Sequence, residues 1–372
     1  MSLADQGIGQ AGAGGERQTG QQEGTMSEAR VGRRWRDPLI ALVVLVVLLA
    51  TIGLTAPPAG AFLPDPPGRP AGGPGSLGPC GKTESVAINE YDFLKQVWVF
   101  QPTGTAAAPT GGTCGDAERP GVFLAHGYFG ILPGLYQDLI DHLVSNGHVV
   151  VFANYEIIPL FEHQYNVVDH GFAQGAEMSG RIDLDNVGFA GHSFGGGMTP
   201  WLVQQADARG WGSESLWAVL MAPYFSYLTG SGPIDLPDHA RVQVIGFDWD
   251  FVVDNRVGIE LFESFDIPDA QKDHITLRGE LYAFKAVLAP HTVPNTGIDG
   301  LNALDFYGLY RNIDVLSSCA REGVGCGTDL TYMGLWSNGH PLKPATVSDN
   351  PADLGPFSLQ ECWFPTNPRP CP

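Results

Sequence analysis

Short apolar runs alternate with helical periodicity across the middle of this chain. Residues 97–100, Val-Trp-Val-Phe, read as a strand within the segment 91–101. Residues 102–120 are a Gly/Pro/Ala/Thr loop. The continuous apolar runs 121–125 and 148–153 fit strands buried on both faces. Between them Leu139, Ile140, Leu143 and Val144 share one face of a helix over 135–146. A looser helix is predicted at 166–178. The run Val187-Gly188-Phe189-Ala190 ends a further strand, and helical residues follow to about 208. Strands are also expected at 215–221, 242–247 and 275–278, and a strand-like run at 331–336. Strands alternating with helices imply an α/β fold with a mostly parallel, doubly wound sheet. No repeat with a period of 20–50 residues interrupts this pattern.

The N-terminal part has a different character. Residues 1–25 are rich in Gly, Gln and Ala without periodicity and read as disordered. Arg30, Arg33, Arg34 and Arg36 precede an apolar run at 39–54, and Ala59-Gly60-Ala61 offers a small-x-small cleavage site. That order is expected of a secretory signal peptide, which places the mature protein outside the cell. The alternative is a membrane anchor formed by residues 39–54, although the run is short for a span. Met26, just before the basic region, is the expected start of translation. Residues 62–80 are Pro/Gly-rich and read as a linker.

The chain carries 20 Lys+Arg against 40 Asp+Glu, a formal charge of −20. That charge argues against nucleic acid and anionic membrane surfaces as partners. The oligomeric state stays open. Six cysteines follow the signal peptide, and export implies disulfides. Neighbours in sequence are the expected pairs: Cys80–Cys114, Cys319–Cys326 and Cys362–Cys371. No C-x₂-C or H-x₃-H spacing supports a zinc site, and no metal or cofactor is expected.

The candidate chemistry starts at Gly191-His192-Ser193-Phe194-Gly195. A serine flanked by glycines at −2 and +2, between a strand and a helix, matches a nucleophile elbow. In a chain with 49 glycines the spacing can arise by accident, so the surroundings decide. A serine nucleophile needs a base, an acid to hold the base, and donors for the oxyanion. In this architecture they gather at the carboxyl ends of the strands. The turn His126-Gly127-Tyr128 follows the strand 121–125 and would offer the Tyr128 N–H. Phe194, directly after the serine, would offer the second. His126 is read as orienting its loop. After the strand 242–247, Asp248, Asp250 and Asp254 qualify as the acid. Asp250 lies beyond the strand end and is free to reach inward, Asp248 is the alternative, and Asp254 is read as solvated. His291 is the expected base and His340 the alternative. His274 is placed before its strand, at the wrong edge. His142, His148, His163, His170 and His239 are read as surface or loop residues.

With these motifs in place, residues 120–295 resemble an α/β-hydrolase. The likeness is to the secreted group of cutinase-like enzymes, polyester hydrolases, chlorophyllases and platelet-activating-factor acetylhydrolases. Gly-His-Ser-Phe-Gly-Gly is similar to that group's elbow. Gly127-Tyr128 and Asn146-Gly147-His148 resemble its oxyanion loop and next strand, and Gly246-Phe247-Asp248-Trp249-Asp250 resembles its acid turn. The resemblance implies Ser193 as nucleophile, Asp250 as acid, Tyr128 and Phe194 as oxyanion donors, and Gly191 and Gly195 as the elbow glycines. The implied activity is hydrolysis of a carboxylic ester through an acyl-enzyme. Tyr128, Phe129, Phe194 and Trp249 would favour an apolar or aromatic acyl group. An acyltransferase with the same triad, or a non-catalytic secreted binding protein, are the alternatives. Past residue 280 the chain departs from the group. The expected organisation is a disordered N-terminus with signal peptide at 1–61, a linker at 62–80, a hydrolase core at 81–295, and a cysteine-bearing extension or cap at 296–372. Within it, residues 292–330 are the candidate cap over the site.

Overall fold

A computed structural model describes residues 63–156, 160–230 and 232–352. They belong to one unit, Leu63–Pro372. The signal peptide, the apolar run 39–54 and the pair Cys362–Cys371 lie outside the described residues.

In chain order the strands are β1 (Gly81–Ile88), β2 (Gln96–Thr103), β3 (Arg119–Ala125), β4 (Val149–Ala153), β5 (Ile182–His192), β6 (Ser215–Met221), β7 (Ile234–Asp235) and β8 (Arg241–Phe247). β9 (Phe265–Asp266), β10 (Lys272–Leu277), β11 (Glu280–Tyr282), β12 (Lys285–Val287) and β13 (Thr346–Ser348) complete them. The helices are α1 (Gln137–Ser145), α2 (Phe161–Ser179), α3 (Phe194–Ala208), α4 (Asn255–Ser264), α5 (Thr296–Asp299) and α6 (Arg311–Glu322). A 3₁₀ turn at Pro133–Tyr136 leads into α1, and a π-helical stretch at Leu304–Tyr310 leads into α6.

Nine strands form the main sheet in the order β1-β2-β4-β3-β5-β6-β8-β10-β13. The six from β4 to β10 run parallel, whereas β1, β2 and β13 are antiparallel to their neighbours. Side chains alternate between two faces. Val122, Leu124, Val150 and Phe152 join one core cluster with Leu139, Ile140 and Leu143 of α1 and Ile313 and Leu316 of α6. Phe123, Ala125, Val149 and Val151 join the other with Val168 and Phe172 of α2, Leu202 and Val203 of α3, and Leu261 and Phe262 of α4. Burial on both faces explains why these strands are continuous apolar runs. Each fully buried large apolar side chain contributes roughly 1.5–3 kcal/mol. This mixed sheet between two helical layers is consistent with an α/β-hydrolase-like architecture.

Several elements differ from expectation. β1 went unpredicted because every side chain but one is exposed, so the run carries no alternation. α4 was also missed. The run 331–336 is loop with one isolated bridge, Leu335 to Pro341, rather than a strand. Residues 63–80 lie along the domain: Gly75 N–H donates to Asp314 (2.7 Å), and the Arg69 guanidinium stacks over Phe306 (4.9 Å). Within 292–330, α6 packs on β6 and β8 in the sheet core. α6 therefore serves as a layer of the fold. Disulfides join Cys80 to Cys114 and Cys319 to Cys326. Among the described residues no helix is long and apolar enough to cross a membrane.

Candidate active site

Ser193 occupies the turn between β5 and α3 with φ 55° and ψ −121°. Positive φ is costly for a residue with a Cβ, and the surrounding structure must hold it. Here the Ser193 N–H donates to Met221 O (2.9 Å), and its carbonyl accepts from Tyr224 N–H (2.8 Å) and Gly197 N–H (3.0 Å). The flanking glycines are demanded by close approach. A Cβ on Gly191 would lie 2.1 Å from Thr199 Oγ1 and 2.5 Å from Gly195 O. One on Gly195 would lie 2.2 Å from Ala125 O and 2.4 Å from His126 O. The elbow thus presses against the end of β3, where the Gly127-Tyr128 turn begins. Among the described residues neither Tyr128 N–H nor Phe194 N–H is engaged by another protein group. The Phe194 N–H is one of the unsatisfied donors that open any helix.

His126 is fully buried. Its Nδ1–H donates to Gly127 O (2.7 Å), while Nε2 accepts from Tyr155 N–H (3.2 Å). The ring stacks on Tyr155 at 4.0 Å. Burial lowers its pKa to about 4. The ring thus fastens the turn to β4.

Asp250 lies in the loop between β8 and α4 and is wholly buried. One carboxylate oxygen accepts from Val252 and Val253 N–H, both at 2.8 Å. The other faces His291 Nδ1 at 2.7 Å. Carboxylate facing imidazole at that distance fixes Nδ1 as the protonated nitrogen and leaves Nε2 as the acceptor. The His291 loop follows the β11–β12 hairpin. It is joined to the acid loop by Trp249 N–H donating to Ala289 O (3.1 Å).

The alternatives sit elsewhere. Asp248 accepts from Gly279 N–H (2.7 Å) and faces Lys343 Nζ (3.5 Å). His340 stacks on Tyr282 (4.1 Å) and faces Glu280 (3.4 Å). Asp254, expected to be solvated, is buried as the N-cap of α4, accepts from Arg256 N–H (3.0 Å) and pairs with the Arg256 guanidinium. His274 lies inside β10 rather than before it and is buried, with a pKa lowered to about 4. His142 and His148 are buried rather than at the surface; His142 Nε2 faces Asp314 (2.9 Å).

Two residues without an assigned role join these parts. Tyr136 Oη accepts from Gly127 N–H (2.8 Å) and lies 2.9 Å from His192 Nδ1. His192 Nε2–H donates to the carbonyl of His291 (2.9 Å). The His192 and His291 ring centroids are 4.7 Å apart. His192 could have been noticed as the variable position of the elbow motif, whereas nothing in sequence marks Tyr136.

The rim is apolar. Phe129, Leu132, Trp249, Phe251 and Val252 are exposed on the loops after β3 and β8. Phe194, expected at the mouth, is buried: its ring stacks on Tyr128 (4.5 Å) and packs against Tyr155 (5.7 Å) and Tyr165 (5.9 Å). One potential cation cluster, Asp92, Glu156 and His163, places its ligand atoms within 4.8 Å of one another. Lys95 Nζ sits 3.5 Å from Glu156, so the cluster reads as an ion-pair group. Neither the protein-family models nor the curated proteins give a match to this chain.

Proposed function

We propose that this chain is a serine hydrolase that cleaves carboxylic esters through an acyl-enzyme, in the manner of the secreted cutinase-like group it resembles. The observation that carries the reading is the buried Asp250–His291 contact, joined through His192 to a serine held at φ 55°. Ser193 Oγ attacks the ester carbonyl while His291 Nε2 takes its proton. Asp250 holds the imidazole in the required tautomer and stabilises the imidazolium. The Tyr128 and Phe194 N–H groups receive the oxyanion, and each such donor typically contributes roughly 3 kcal/mol. The proton then passes to the leaving alcohol, and water cleaves the acyl-enzyme by the same steps in reverse.

The exposed apolar rim supports an ester with an apolar or aromatic acyl group. Two disulfides and the signal-peptide pattern support a secreted protein. The test is hydrolysis of p-nitrophenyl esters from acetate to palmitate. Ser193→Ala and His291→Ala are expected to lower kcat by roughly 10⁴-fold or more, with His340→Ala within threefold of the parent. Undiminished turnover by Ser193→Ala overturns the proposal.

A further inference from the structure

We infer that Tyr136 and His192 form a strut that positions His291 and the oxyanion turn relative to one another; this rests on the ester-hydrolase reading of the site. The strut runs from Gly127 N–H to Tyr136 Oη, from Tyr136 O–H to His192 Nδ1, and from His192 Nε2–H to the His291 carbonyl. Its three distances are 2.8, 2.9 and 2.9 Å. Its hydrogens are assigned by elimination. A carbonyl and a backbone N–H have fixed roles, so His192 Nε2 must donate to His291 O, and Tyr136 Oη must accept from Gly127. His192 Nδ1 is then the acceptor for the phenol proton. Every polar atom of both side chains is used, and both side chains are buried. Burial and the neighbouring His291 ring push the His192 pKa well below the ordinary histidine value, so the ring stays uncharged across the physiological range.

The two ends of the strut are what make it more than packing. One end is the residue before Tyr128, whose N–H is the first oxyanion donor. The other is the main chain of the base itself. The middle is the residue before Ser193. The three parts of the proposed machinery come from loops after β3, β5 and β12, which share no local sequence. A chain of hydrogen bonds with fixed direction sets their spacing. A misplacement of about 1 Å at a reacting centre can cost on the order of 10²-fold in rate. Neither side chain reaches substrate in this scheme. They are positioning residues, and their effect belongs in kcat.

The two ring nitrogens can be separated by substitution. Gln sets an amide N–H₂ near the site of Nε2, so His192→Gln keeps the donor to His291 O. Asn reaches only to the site of Nδ1, so His192→Asn keeps the partner of Tyr136 and abandons His291. Tyr136→Phe removes the link to Gly127. The experiment measures kcat, KM and the rate of covalent reaction with a fluorophosphonate for the full chain and these three variants. It adds the His291 Nδ1–H resonance in ¹⁵N-histidine-labelled protein. His192→Asn is expected to lower kcat and the fluorophosphonate rate roughly 10- to 100-fold with KM within twofold, and to shift the resonance. His192→Gln, which keeps His291 O but leaves the Tyr136 hydroxyl without Nδ1, should lose about 10-fold on both rates, as Tyr136→Phe does, with the resonance restored. Tyr136→Phe should lower kcat about 10-fold with the resonance little changed. A resonance that shifts equally in Asn and Gln, parent-like rates in all three variants, or losses confined to KM, overturn the strut. If the parent neither hydrolyses esters nor reacts with fluorophosphonate, the ester-hydrolase reading fails. The resonance shift in Asn and its restoration in Gln then still decide the strut.

Discussion

At the residue scale, two aspartates two positions apart have opposite surroundings. Asp250 is fully buried, with both oxygens spent on two backbone N–H groups and His291. Asp248 meets Gly279 N–H and Lys343. The turn directs them apart: Asp248 N–H donates to Leu277 O (3.0 Å), and Asp250 N–H turns back to Phe247 O (3.2 Å). Asp250→Asn is expected to lower kcat by about 10⁴-fold, because an amide no longer enforces the imidazole tautomer. Asp248→Asn, which still offers an oxygen to Gly279, should leave kcat within about threefold of the parent. Steady-state kinetics on one p-nitrophenyl ester separates the two, and a larger loss in Asp248→Asn would reverse the assignment. The acid turn was legible in sequence because several aspartates follow a clear strand. Asp250 was preferred from its place beyond the strand end and from the resemblance, whereas its contact with His291 depends on a loop 41 residues away.

At the element scale, the β11–β12 hairpin breaks a local rule. Its tip residues Ala283 and Phe284 have φ 47° and 63°, where Asn-Gly is the usual pair. Left-handed backbone costs about 1–2 kcal/mol for each residue with a Cβ. The hairpin is held by one face. Tyr282 stacks on His340, and Lys285 Nζ meets Asp65 (2.6 Å). Leu281 and Phe284 are exposed. Replacing Ala283-Phe284 with Asn-Gly should stabilise the fold by about 1–2 kcal/mol, less whatever the added glycine frees in the unfolded chain. The expected reading is a higher urea midpoint with an unchanged m value; a lower midpoint would mean the tip is not strained. This element was invisible in sequence because its turn lacks turn residues. The core strands β3 to β6 were readable because burial on both faces leaves continuous apolar runs.

At the scale of the whole molecule, buried titratable groups set the acid response. Burial holds His126 and His274 at a pKa of about 4 and His148 at about 3, and puts His192 well below the ordinary value. Below about pH 6.5 the unfolded chain binds protons on these rings that the native state refuses. Stability therefore falls with pH by about 1.4 kcal/mol per unit for each ring, down to its native pKa. Asp305 opposes them. Burial raises its carboxyl to about 7. Between that value and its unfolded pKa the native state binds the extra proton, so this group adds stability as pH falls. The net expectation is a fall of several kcal/mol between pH 7 and pH 5 in urea titrations. Asp305→Asn should steepen that fall. A flat profile over this window would mean that the histidines are not held neutral.

The sequence by itself determined the strand–helix alternation and the elbow glycines, because each depends on local spacing or local backbone sterics; it suggested the pairs Cys80–Cys114 and Cys319–Cys326, which the structure joins. It also pointed to the candidate serine and the acid turn, whose motifs span only a few residues. Tertiary structure decided what depends on loops meeting. His291 rather than His340 faces Asp250, since the run before His340 is loop and its ring is stacked on Tyr282. Residues 311–322 cover a sheet face because amphipathic periodicity tells that a helix packs but not on what. The Tyr136–His192 link is of the same kind: 56 residues separate its members, and only the sheet brings them together.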